Sequence, residues 1–165
     1  MQESEAVIAE FLKRNQIKAG DPIDVIAKAL NVKPGGADGD ISGQARLSKP
    51  DQSGSMTVTF RKGLMPQERL FAFAHECAHL INQDQAPAAR SEGRNKPMAE
   101  QRADYTAAAL LMPADHVYEY LNENHYRDTT ARKRVALIGK LCKRYGVSDV
   151  IALRRVKEVY ALNRQ

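Results

Sequence analysis

His75-Glu76-Cys77-Ala78-His79 carries the densest chemistry in the sequence. On a helix, residues four apart share a face, so the two imidazoles project side by side and can bind one ion. Nitrogen donors of this kind suit zinc. Two partly buried histidines hydrogen-bonded within a core would show the same spacing, so the third ligand decides between a metal site and simple packing.

In metzincins a glycine three residues and a histidine six residues after the second histidine complete the site, but here those positions hold Asn82 and Gln85. Gluzincins instead take a glutamate from a later helix, and Glu100-Gln101-Arg102-Ala103-Asp104 offers E-x-x-x-D one helical segment downstream. Spacing four again places both carboxylates on one face. Glu100 can complete a His, His, Glu set with a fourth position open to water, and Asp104 can accept the outer N–H of a ligating histidine and fix its tautomer. Ala103, Ala107 and Ala108 lie beside these acids, small enough to let two metal-bearing helices approach closely. Cys77 lies about 200 degrees around the helix from His75, on a stripe with Leu70, Phe73 and Leu80, and reads as packing. His116 and His125 are lone histidines. His116 is kept as a candidate oxyanion stabiliser.

These residues need helices to carry them, and the periodicity predicts seven: about 5–15, about 23–30, 66–83, 98–111, 115–122, 130–145 and 148–162. Pro22, the residue pair Met112-Pro113, Gly146 and Ser148 mark their ends. Between the second and third helices, 41–48 and 55–62 read as two strands of an antiparallel hairpin, with Val32 marking a further candidate strand. The free edge of strand 55–62, which runs just ahead of the metal helix, is the expected seat for an extended substrate. The polar loop Gln85 to Pro97 is long enough to face a substrate.

The whole chain has 165 residues, 43% of them hydrophobic and 27% charged, which suits one compact body. No apolar run approaches the roughly 18 residues of a membrane span, and no basic, apolar leader opens the chain, so the expected location is cytoplasmic. Two cysteines, Cys77 and Cys142, support neither a disulfide framework nor a paired-cysteine zinc site. The net charge of +5 is uneven: residues 1–126 hold 14 basic and 17 acidic side chains, residues 127–165 hold 11 and 3. We therefore expect a domain over 1–126 that carries the metal-site motifs and a basic helical extension over 127–165 packed on it. The extension raises the prospect of weak nucleic-acid contact.

His75-Glu76-x-x-His79, Glu100-x-x-Ala103-Asp104 running into Leu110-Leu111-Met112-Pro113, and the earlier Pro22-Ile23-Asp24-x-Ile26-Ala27-x-x-Leu30 together resemble the ImmA/IrrE metallopeptidases. The resemblance covers about residues 20–115. It implies a small zincin-like, gluzincin-like fold; with the elements read above, the expected architecture is α+β, mostly α, with a small antiparallel sheet, an H-E-x-x-H helix and a C-terminal helical hairpin. It further implies Zn2+ held by His75, His79 and Glu100, with Glu76 as catalytic base. The substrate it implies is a helix-turn-helix repressor, cleaved in a stress, DNA-damage or mobile-element response. Cys77, Ala78 and Thr106 depart from the residues usual in that family. An alternative reading takes the basic helices around Gly146, with Arg154, Arg155 and Lys157, as a DNA-binding unit and the metal site as sensory or vestigial.

Overall fold

The computed structural model describes residues 2–37, 41, 43–84 and 97–163. Helices dominate: α1 (Gln2–Arg14) and α2 (Ile23–Ala29) precede strands β1 (Val32–Ala37), β2 (Ala45–Leu47) and β3 (Met56–Phe60). Then follow α3 (Pro66–Ile81), α4 (Met98–Leu111), α5 (Ala114–Glu123), α6 (Ala131–Tyr145) and α7 (Asp149–Leu162). This is the mostly helical α+β fold expected, and the predicted helix boundaries are met within a few residues. Among the described residues no helix is long and apolar enough to cross a membrane. The loop expected to face substrate, Gln85 to Pro97, lies outside the described residues apart from Pro97.

The sheet departs from the predicted hairpin in one respect. β2 does pair antiparallel with β3, Leu47 opposite Val58, but β1 lies parallel on the other side of β3, Val32 opposite Met56, giving the order β1-β3-β2. The sheet is therefore mixed. β3 is central and has no free edge; the edge beside the later helices belongs to β2. Pro34-Gly35-Gly36 disguised β1, since proline lacks a ladder donor and is tolerated only at an edge. At Gly35 an added Cβ would stand 2.8 Å from the Thr57 side chain and 3.0 Å from the Val58 carbonyl, so the two strands meet this closely only over glycine.

One face of the sheet is covered by α3, whose Ala72, Phe73 and Cys77 join Val58 and Phe60 in a buried cluster. Pro66 opens α3, and the Glu68 carboxylate accepts the Met65 backbone N–H at 2.8 Å. α3 then packs on α4 through Ala74, Ala78, Ala103 and Ala107, all buried. The C-terminal hairpin closes the body: Ile138, Leu141, Ala152, Val156 and Val159 share a core with Met112, Val117 and Leu121. Its turn uses Gly146 at φ 65, and Thr130 and Ser148 cap α6 and α7 by accepting the N–H of Lys133 and Ile151.

The tail's charge is partly internal. Arg155 is completely buried, donating to the Met112 carbonyl and to Glu5 of α1, both at 2.9 Å. Arg154 points toward α4. The cations of α6 at 132–134 are exposed.

The alanine contact sets the spacing of α3 and α4, and it has no room for more. Replacing Ala107 by Leu should cost about 1–3 kcal/mol of stability, read as a lower urea midpoint at unchanged slope, and should weaken metal binding as the helices part. An unaltered midpoint would mean that the interface is looser than its burial shows.

Candidate metal centre

α3 presents His75 and His79 one turn apart, with Nε2 atoms 3.1 Å from each other and ring planes at 82°. α4 brings Glu100 between them: Oε2 lies 3.3 Å from His75 Nε2 and Oε1 3.2 Å from His79 Nε2. All three side chains are buried, and among the described residues they form a group that could hold a metal ion. For zinc bonds of about 2.0–2.1 Å, the corners of a tetrahedron stand roughly 3.3 Å apart. The two imidazole nitrogens stand 3.1 Å apart, and each has a different Glu100 oxygen at 3.2–3.3 Å, separations close to that edge length. The donor set therefore fits zinc in type and number, with contacts short enough for the three side chains to share one ion.

Each histidine has its outer nitrogen occupied. His75 Nδ1 lies 2.9 Å from Asp104 Oδ1, and His79 Nδ1 lies 3.1 Å from Asp84 Oδ2. An ionised carboxylate only accepts, so each contact favours the proton on Nδ1, and in the neutral ring that leaves Nε2 as the inward-facing donor a metal requires. Asp84 was not anticipated from sequence. It reaches back because Gln83 takes a left-handed conformation at φ 55 just after the helix, and the Asp84 N–H bonds the His79 carbonyl at 3.0 Å. Behind the two aspartates stand two arginines, Arg102 on Asp84 and Arg154 on Asp104.

Glu76 is 2% exposed overall, yet it lines a cleft of about 590 Å³ together with His75, Glu100 and Asp104. Opposite walls come from Phe71 and Ala72 of α3, from Gly43, Gln44 and Ala45 at the start of β2, and from Ser148, Ile151 and Arg154 of the C-terminal hairpin. The remaining predicted residues fall elsewhere. The ring of His116 rests against Gly20, where an added Cβ would be 2.9 Å from it, and it does not line the cleft. His125 sits exposed at the left-handed turn after α5. Cys77 faces the sheet core, where burial pushes its thiol up to about 12, so it is neither ligand nor nucleophile.

A family model described as the IrrE N-terminal-like domain, a peptidase model, matches residues 23–157. The chain belongs to the IrrE N-terminal-like peptidase family. Membership supports a metallopeptidase or IrrE-like regulatory role, and the resemblance read from the H-E-x-x-H and E-x-x-x-D motifs stands. Among solved structures, a Mycobacterium tuberculosis transcriptional regulator is similar, with a TM-score of 0.59 at 14% identity. The likeness covers 94% of this chain and 46% of that one, so this chain spans about half the length of that regulator. At such identity it speaks for the fold. No curated protein matches the chain in sequence. Within this IrrE-like domain, the residues that depart from the family pattern have structural partners. Thr106 donates to Asn82 at the end of α3 at 3.0 Å, and Ala78 belongs to the alanine contact between α3 and α4.

If the aspartates orient the imidazoles, Asp84→Ala and Asp104→Ala should each weaken zinc binding by about 10 to 100-fold while leaving the chain folded. Competition against a chromophoric chelator measures this. Wild-type affinity in the Asp84→Ala protein would show that its contact with His79 does not serve metal binding.

Proposed function

We propose that this protein is a zinc-dependent endopeptidase, with His75, His79 and Glu100 as the metal ligands and Glu76 as the general base. One observation carries the reading: two imidazoles and a carboxylate converge on one point beside a buried glutamate on the wall of an open cleft. Bound zinc would lower the pKa of a water toward neutrality and polarise the peptide carbonyl. Glu76 takes the proton released as water attacks and returns it to the departing amide nitrogen. The rigid turn of α3 fixes Glu76 relative to His75, so no loop movement is needed to assemble the base and the ligands. Asp104 and Asp84 keep the two imidazoles in the ligating tautomer throughout.

The substrate arrives in extended form. β2 is an edge strand, and residues 43–45, which lead into it, line the cleft, so a peptide laid along that edge adds a strand to the sheet and passes the metal ligands. The substrate in this proposal is one cytoplasmic protein, a helix-turn-helix transcriptional repressor, and the setting a stress, DNA-damage or mobile-element response. The ImmA/IrrE resemblance supports that choice. A DNA-binding regulator with a sensory metal site is disfavoured by Arg154 and Arg155, whose guanidinium groups are engaged inside the chain rather than offered to a groove.

Zinc should be lost from His75→Ala, His79→Ala and Glu100→Ala, whereas Glu76→Gln should retain zinc and lose about 10² to 10⁴ in cleavage rate. Metal analysis and a repressor-cleavage assay read the two effects separately. Unfolded casein should be cut slowly or not at all, and a chelator should abolish repressor cleavage. Cleavage by Glu76→Gln at the wild-type rate, or wild-type protein that takes up no zinc, would contradict the proposal.

A further inference from the structure

We infer that Arg154 is a positioning residue for the metal centre. From α7 it holds the Asp104 carboxylate in the orientation that accepts the His75 N–H, so the C-terminal hairpin contributes to metal affinity. The inference rests on the metal-binding reading above.

Asp104 stands at the edge of the cleft with its side chain 19% exposed. A carboxylate in that position gains hydration by turning outward, and turning outward would release His75 Nδ1. Arg154 opposes the turn. One Nη2–H donates to the Asp104 backbone carbonyl at 3.0 Å, and Nη1 lies 3.6 Å from Asp104 Oδ2, the oxygen that does not face the histidine. The two contacts come from one planar guanidinium, so backbone and carboxylate of Asp104 are gripped together.

Arg154 is itself held from three sides. Its guanidinium lies 5.7 Å from the ring centre of Phe71, one helical turn before His75 on α3. Nε faces Glu158 Oε1 at 3.5 Å, one turn further along α7. The third side is Asp104 on α4, so the arginine ties α3, α4 and α7 together next to the ligand set. A matching relay serves the other histidine: His79 meets Asp84, and Asp84 meets Arg102. The two differ in origin. Arg102 comes from α4, the helix that already carries Glu100, whereas Arg154 comes from the hairpin that α7 closes, 50 residues beyond Asp104.

A cation beside a cation site has two opposing effects, and their signs separate the explanations. As a bare charge, Arg154 repels a dication, so its removal would tighten binding. As the group that holds Asp104 in place, it supports His75 as a ligand, so its removal would loosen binding. Geometry favours the second, because the contacts of the guanidinium with the centre run to Asp104, whose other oxygen meets His75.

The test is zinc competition against a chelator on full-length chains at fixed ionic strength, with circular dichroism to confirm folding. Arg154→Ala should bind zinc about tenfold more weakly. Arg154→Lys, which keeps the charge but loses the planar fork, should fall between that variant and the wild type. Asp104→Ala combined with Arg154→Ala should bind no more weakly than Asp104→Ala alone, because both act on one hydrogen bond. Should Arg154→Ala fail to fold, Arg154→Gln, which retains an amide donor and no charge, is judged by the same criteria. Unchanged or tighter zinc binding on loss of the arginine, or a double variant whose defect is the product of the two single ones, overturns the inference alone. A wild-type chain that takes up no zinc overturns both this inference and the metallopeptidase reading.

Discussion

The site depends on how closely α3 can lie against α4. Ligands from two helices meet at 3.2–3.3 Å only if the backbones approach closely, and side chains larger than methyl would hold them apart. Ala74 and Ala78 on one helix face Ala103 and Ala107 on the other, all fully buried. Ala78 lies inside the H-E-x-x-H motif, and Ala103 lies between Glu100 and Asp104 in the E-x-x-x-D motif. Packing and ligation therefore use adjacent faces of the same turns, so spacing and chemistry cannot vary independently.

Charge imposes the second constraint. Glu76, Asp84, Glu100 and Asp104 put four carboxylates around two imidazoles in a largely buried volume, where like charges repel strongly. Arg102 and Arg154 offset part of that charge from outside the ligand set. What remains is an anionic centre suited to a divalent cation, with each guanidinium kept one residue away from the donors. Arg155 follows a different logic. Fully buried, it joins α7 to Glu5 of α1 and to the end of α4, and Tyr105 donates to the same Glu5 carboxylate at 2.6 Å. Two neighbouring arginines of one helix thus serve the site and the scaffold respectively.

Much of the centre was legible because it is local. His75, His79, Glu100 and Asp104 announce themselves by i, i+4 spacing on helices whose apolar stripes are unambiguous. Asp84 was not legible, because its role depends on a left-handed residue after the helix end, and nothing in Gln83 announces that conformation. Arg154 was read from composition as one cation in a basic tail; only the tertiary packing of α7 turns it toward Asp104. In the sheet, β3 was clear from its alternation, whereas Pro34-Gly35-Gly36 concealed β1, and with it the fact that β3 lies in the centre. Moving the free edge from β3 to β2 follows from that one missed strand.

The C-terminal hairpin shows why a charge count along the sequence is a poor guide to what a segment does. Residues 127–165 hold 11 basic against 3 acidic side chains, a composition that by itself suggests a polyanionic partner. α6 keeps its cations in solvent, as that suggestion requires. α7 does not. A helix that must cover Met112 and Val117 with Val156 and Val159 presents its next positions to α1 and α4, where Glu5 and Asp104 already lie. Arginine at 154 and 155 meets those acids with a long apolar stem and a planar head, which lysine could do only as a point charge. The charge of Arg154 and Arg155 is thus matched by negative charge earlier in the chain, and the wall α7 builds for the cleft is part of the same contact that anchors it.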